Sequence, residues 1–192
     1  MPRRGEQATF DGALKALRSV KSRPEIIVQE SPAPARLAPY AVALTADVIA
    51  SVGEESELAT GRFVLLYDPA GHEAWDGSFR CVTFARADLE SEMETDPLLP
   101  EIGWSWLLES LAAHDASFVA PSGTVTRVAS QSFGQLVDRL PSAEIEIRAS
   151  WTPKGTIDAH LAAWFDILAT CAGLPPMPEG VSLISGARRG TR

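Results

Sequence analysis

Cysteine is almost missing from this chain. Its 192 residues include two, Cys81 and Cys171, whose separation matches no metal-ligand spacing. Two isolated thiols exclude a disulfide-stapled scaffold, fit a reducing compartment, and read as inert core residues on apolar faces. Histidine is nearly as scarce, with only His72, His114 and His160. Lysine supplies three of the 17 basic residues, an arginine bias that reflects base composition and carries no mechanism. Long apolar runs are lacking: the most apolar stretch, 161–174, is interrupted by Asp166 and Thr170 and is too short to span a bilayer. Met1-Pro2-Arg3-Arg4 is basic, but no hydrophobic signal region follows it, so a cytoplasmic protein is expected. Neither G-x-x-x-x-G-K nor G-x-G-x-x-G occurs, and Gly103-Trp-Ser105 lacks the second glycine of a nucleophile elbow. No cofactor, metal or catalytic residue is therefore expected.

What is present is a globular composition with an uneven charge. Hydrophobic residues make up 45% and charged ones 22%, enough for a self-sufficient core in one domain. The net charge of −8 conceals basic ends: residues 1–23 carry +4, residues 188–192 carry +3, and the body between them −15. A body so acidic repels nucleic acid and anionic membrane, both of which are bound through cationic neutralisation. Residues 1–8 and 184–192 read as basic disordered tails around a single domain, 9–183. Only those tails offer a weak route to nucleic acid.

Apolar spacing gives the elements. Phe10, Ala13, Leu14 and Leu17 mark a first helix over 9–20, with Thr9 as its N-cap. Residues 25–29 are short and β-branched, a minor edge strand, and the three prolines of 31–39 require an extended connector. Strands follow at 40–50, 62–68 and 79–87, tightly connected as a meander. A second helix over 101–114 presents Ile102, Trp106, Leu107 and Leu111. Strands at 124–133 and 144–151 come next, with Phe133, Leu136, Val137 and Leu140 between them as a helical turn or a packed loop. In the last strand Ile145, Ile147, Ala149 and Trp151 alternate against polar residues. A third helix is N-capped by Asp158, buries Leu161, Trp164, Phe165, Leu168, Cys171 and Ala172, and stops at Gly173 and Pro175-Pro176. The expected architecture is α+β: a five-stranded antiparallel sheet with helices on one face, in the order α-β-β-β-α-β-β-α. That order resembles the two-layer secretion-chaperone-like fold.

Four stretches carry a further resemblance: LAPYAVALTAD at 37–47, ELATGRFVLLYD at 57–68, PLLPEIGWSWL at 97–107 and EIRASWTP at 146–153. Together they resemble the actinobacterial domain-of-unknown-function 3000 (DUF3000) family over residues 10 to 183. The resemblance implies an actinobacterial cytosolic protein and supplies no functional residue.

Candidate site residues come from the chemistry of single segments. His72 shares a loop with Asp68, Glu73, Trp75 and Asp76, a place where a base can sit beside a carboxylate or simply be solvated. His114 suits a helix C-terminus, and His160 reads as surface. The alternating acids Asp88, Glu90, Glu92, Glu94 and Asp96 lack the central glycine of a calcium loop and read as a solvated linker. Trp104 and Trp106 are two apart on one helix and point about 200° from each other, so both cannot face one core. Trp106 has the better claim, leaving Trp104, with Trp75 in its loop, as an interface candidate. Packing under the connector 32–39 or the arm 174–183 is the alternative for both. The expected function is a non-catalytic protein-binding module, chaperone- or adaptor-like, whose partner is another protein or a second copy in a homodimer. The alternative is a small-molecule binder or enzyme with a sheet–helix pocket whose polar groups are Asp68, His72 and Arg148.

Overall fold

The structure is a computed structural model, and it describes residues 4–51, 56–89, 93 and 96–177. Among these described residues, three helices and six strands follow one another as α1 (Arg4–Ser19), β1 (Ile26–Ser31), β2 (Tyr40–Ile49), β3 (Glu57–His72), β4 (Gly77–Asp88), α2 (Leu99–Ala113), β5 (Phe118–Ser130), β6 (Ser142–Pro153) and α3 (Ile157–Cys171). All six strands form one antiparallel sheet in the order β1-β2-β3-β4-β6-β5. The α+β class and the one-sided helical layer are as expected. The sheet, however, has six strands, because the short segment after α1 pairs fully with β2 from Ile26↔Val48 to Ser31↔Ala43. The order is therefore α-β-β-β-β-α-β-β-α.

Register explains which residues are buried. Val42, Leu65, Cys81 and Trp151 stand in one cross-strand row, and Leu44, Phe63, Thr83 and Ala149 in the next. These rows point at the helices, since side chains on opposed residues share a face. α1 buries Phe10, Ala13 and Leu17 against that face. Phe10 lies 5.4 Å from the Tyr40 ring and 6.2 Å from Tyr67, and Tyr67 stacks on Phe79 at 4.4 Å. The helix begins at Arg4, ahead of the expected Thr9, whose hydroxyl donates to the Gly5 carbonyl inside the helix and caps nothing. Residues 4–8, expected as part of a disordered tail, are thus helical, while 1–3 and 178–192 lie outside the described residues.

α3 occupies the centre of the helical layer. Of the expected stripe, Leu161, Trp164, Phe165, Leu168 and Cys171 are buried and the C-cap Ala172 is half-buried; His160, Ala163, Ile167 and Ala169 are buried too. A helix buried nearly all round is one with neighbours on both flanks, here α1 and α2, as well as the sheet beneath. Its N-cap position is Thr156, without a side-chain hydrogen bond; Asp158 lies inside the first turn. α2 differs from its expected pattern. It turns Leu99, Gly103, Leu107, Ser110 and Leu111 inward, with Ile102, Trp104 and Trp106 half-buried on the flanks. Gly103 sets the rotation, because its missing side chain lets the helix rest on Ile145 and Val125.

The close approach of α3 to the sheet is set by Gly61 on β3. A Cβ there would stand 2.5 Å from Leu168 Cδ2, 2.9 Å from the Phe84 carbonyl oxygen and 3.0 Å from Trp164 Cζ2. One of those contacts is backbone and cannot move aside. Gly61→Ala should destabilise the fold by about 1–3 kcal/mol through overpacking. Urea unfolding of the variant against wild type measures this, and an unchanged midpoint would contradict the close packing.

Candidate functional site: the β5 edge and its hairpin tip

The helices cover one face only, so the sheet has an open face and two edges. The open face carries a small apolar cluster of Ala43, Val64 and Leu66, packed under Trp75, Ala38 and Val82. Trp75 belongs to a single 3-10 turn, Glu73–Trp75, between β3 and β4. Its carbonyl accepts a hydrogen bond from Thr152 Oγ1, and its ring stacks on His72 at 4.9 Å. Trp75 is therefore a half-buried cover for the open-face cluster.

The other expected polar groups are not brought together. His72 Nδ1 accepts the Ala74 N–H, capping the 3-10 turn, and Asp68 Oδ1 accepts the Ala70 N–H two residues on. Both serve the local turn. Arg148 stands over the Phe84 ring at 5.4 Å and pairs with Glu146 at 2.9 Å. Phe84 lies seven residues along β4 from Gly77, the partner of His72, or roughly 23 Å at strand spacing. Asp68 and His72 thus share no pocket with Arg148. Among the described residues no three His, Cys, Asp or Glu side chains are placed to hold a metal ion. Of the acidic alternation at 88–96, Glu90, Glu92 and Glu94 lie outside the described residues.

Two buried residues were not legible from local pattern. His160, expected at the surface, is fully buried. Its Nδ1 accepts the Trp151 indole N–H at 3.0 Å, so the ring proton is on Nε2, directed at the Lys154 carbonyl at 3.3 Å. Burial pushes its pKa down, against smaller opposing effects of that carbonyl and of Asp158. Arg80 is buried as well, with five hydrogen bonds and no carboxylate partner among the described residues. Its guanidinium donates to the Ala120 carbonyl at 2.8 Å, to Ser150 Oγ at 2.8 Å, and to Thr152 and Ser122 hydroxyls at 3.2 Å. Those partners surround a bulge in β5 between Val119 and Ser122, where Ala120 has φ of 48°. A fork of neutral acceptors satisfies the buried cation and fixes the point where the regular β5 ladder begins.

The remaining thiols and histidine are structural. Burial raises the Cys81 pKa, and raises that of Cys171 to about 12, which keeps both as inert thiols. His114 forms the C-cap of α2 and meets Asp166 of α3 at 2.7 Å, tying the two helices.

From that bulge β5 runs to the edge of the sheet and into the most apolar exposed segment of the described chain. Between β5 and β6 lies a tip, residues 131–141, held by one 3-10 turn at Gly134–Leu136 with Gly134 at φ of 63°. Phe133 is 74% exposed, Leu136 49%, Val137 65% and Leu140 87%. Of the expected helical turn or packed loop, a short 3-10 turn at Gly134–Leu136 forms, and the four side chains stay largely exposed. Four large apolar side chains on eleven residues form a cluster rather than the scattered singles that surfaces tolerate. Beside the first residues of the β5 ladder lies Trp104, whose ring rests over Gly123. Half-buried Trp104, with Pro100, Glu101, Gly123 and Val125, lines an open groove of about 380 Å³. Trp104 thus borders the surface without being free of the core.

Sheet, helical layer and exposed edge define a two-layer α+β protein, with one face of a six-stranded antiparallel sheet covered. The chain belongs to the DUF3000 family of proteins of unknown function, whose sequence model matches residues 6–182. No curated protein and no solved structure matches it. No described helix is long and apolar enough to cross a membrane.

The buried neutral histidine gives stability a pH dependence. The unfolded chain takes up a proton at His160 below about pH 6.5, while the folded chain resists doing so. Stability is therefore full above that pH and falls as acid is added, by at most about 1.4 kcal/mol per pH unit for one proton. Chemical unfolding between pH 7.5 and 5.5 should show this slope, reduced by about one proton in His160→Gln. An equal slope in both proteins would place the titration elsewhere.

Proposed function

We propose that this chain is a non-catalytic protein-binding module of the cytoplasm, chaperone- or adaptor-like, and that it engages its partner through the β5 edge and the 131–141 tip. The carrying observation is the cluster of Phe133, Leu136, Val137 and Leu140, exposed beside an unpaired strand edge. An exposed edge supplies main-chain hydrogen bonds to an added strand, and neighbouring apolar side chains supply the buried anchor. The acidic character of the chain, net −8, favours protein over nucleic acid or anionic membrane. Trp104 borders this surface, and Trp75 serves the open face.

A tagged full-length chain should retain a protein partner from a lysate of cells that express it, in high salt as in low, because apolar contact is not screened. The double variant Phe133→Ser with Leu140→Ser should lose it while keeping its circular dichroism. Equal capture by both proteins would remove the tip from the function.

One observation favours a second reading. A cavity of about 210 Å³ opens between α1, β1, β2 and α3, lined by Leu14, Leu17, Val28, Leu44, Leu161 and Phe165, with Arg18 and Glu30 paired at 3.7 Å at its margin. That is a sheet–helix pocket for a small apolar ligand, built from residues other than Asp68, His72 and Arg148. Native mass spectrometry tests it: a co-purifying small molecule should disappear when Val28→Phe fills the cavity. A wild-type protein that carries none, and that no apolar fragment stabilises, would set this reading aside.

A further inference from the structure

The two edges of the sheet are not alike. β1 has six residues, includes Glu30 and is preceded by Glu25. β5 runs regularly from Ser122↔Ser150 to Ser130↔Ser142 against β6, and its outer side has no strand beside it among the described residues. Over those nine residues, SGTVTRVAS, there is no proline, no lysine and no carboxylate, which are the usual means of blunting an edge. The single charge, Arg127, is exposed, and its Nη1 donates to the Asp96 carbonyl of the same chain at 3.2 Å.

We propose that the partner of this edge is a second copy of the chain, paired antiparallel through β5 about a two-fold axis at Thr126. The inference rests on the reading of edge and tip as the docking surface. Such a pairing is isologous: the same patch serves both copies and the assembly closes as a dimer. Centred on Thr126, it uses the whole regular ladder and sets Ser122 opposite Ser130, Gly123 opposite Ala129, Thr124 opposite Val128 and Val125 opposite Arg127 of the second copy. Neither β-branched nor hydroxyl pairs conflict across strands, no like charges stand directly opposite, and the two Arg127 side chains, diagonal across the axis, are each held by the Asp96 carbonyl of their own copy. That matters in a chain of net charge −8, where two copies repel wherever carboxylates face each other. The β5 edge offers nine residues without that repulsion.

The same operator also gives the tips a place. The ladder ends at Ser122, where the bulge held by Arg80 turns the chain away. Opposite Ser122 stands Ser130 of the second copy, the last residue before its tip. Each tip therefore starts beside the groove of Pro100, Glu101, Trp104 and Gly123 on the other copy. One two-fold axis accounts for the bare edge, the apolar tip and the half-exposed tryptophan together.

Thr126→Cys in the full chain tests the register directly. Thr126 is exposed, and residues facing each other across an antiparallel pair bring their Cα atoms to about 5 Å, within disulfide reach. Both native cysteines are buried and do not compete. Mild oxidation should convert Thr126→Cys to a covalent dimer and leave Gln29→Cys, exposed on β1, monomeric. Light scattering of wild type should give twice the chain mass, and the Phe133→Ser, Leu140→Ser variant should weaken dimerisation about tenfold or more. A monomeric wild type at every concentration, or cross-linking through Gln29→Cys alone, would overturn the inference. If the wild type is monomeric while the tip variant loses a different protein partner, the second copy is wrong and the docking surface stands. If the tip variant changes neither dimerisation nor capture, both fall.

Discussion

The contact on which the rest of the structure depends is the seating of α3 on β3 at Gly61. Trp164 and Leu168 occupy the space that any side chain at that position would take, so the helix axis lies close over the middle of the sheet. Phe63 then meets Trp164 at 5.7 Å, and Trp151 reaches His160 with its indole N–H. With the central helix placed so low, α1 and α2 have flanks to pack against, and all three helices share one layer. The layer is wide enough for the middle strands and leaves β5 nearly bare: Val125 is half-buried, and every other residue from Ala120 to Ser130 is exposed.

What happens on the uncovered surfaces follows from that one-sided arrangement. In the middle of the open face, Trp75 folds over Ala43, Val64 and Leu66, and Arg148 covers Phe84. Toward one end, Arg86 pairs with Glu144. The β1 edge is short and bordered by glutamates. Each of these lets sheet surface meet water without inviting another chain. On β5 the bulge and Pro121 precede the regular ladder, the nine residues after them carry no proline, lysine or carboxylate, and the hairpin continues into four exposed apolar residues. An edge left open beside four exposed apolar residues is the physical basis of the proposed docking surface.

Much of this was legible in the sequence because it depends on local period. The alternation of Ile145, Ile147, Ala149 and Trp151, and the stripe of Leu161, Trp164, Phe165 and Leu168, are recorded in spacing alone. The sixth strand was less visible because Ile26–Ser31 is short with only Ile26 fully buried, and only its pairing with β2 makes it a strand. In α2 the expected Leu107 and Leu111 are buried, whereas Ile102 and Trp106 are only half-buried. Two tryptophans dominate its hydrophobicity, yet the helix turns Gly103 to the sheet, a preference of shape that no hydrophobicity pattern carries. His160 and Arg80 illustrate the same limit for polar residues. Each is buried because distant backbone and side-chain partners satisfy it, and those partners, Trp151 and Ser150 among them, meet only in the folded sheet. His72, Asp68 and Arg148 are the converse case, plausible by composition and separated by topology.

Backbone hydrogen exchange tests the proposed docking role of β5 most directly. The outward-facing amides of residues 122–130 should exchange rapidly in dilute solution and become protected as concentration rises or a partner is added. The β1 edge should stay unprotected throughout. Protection of β1 in place of β5, or rapid exchange along β5 under every condition, would contradict it.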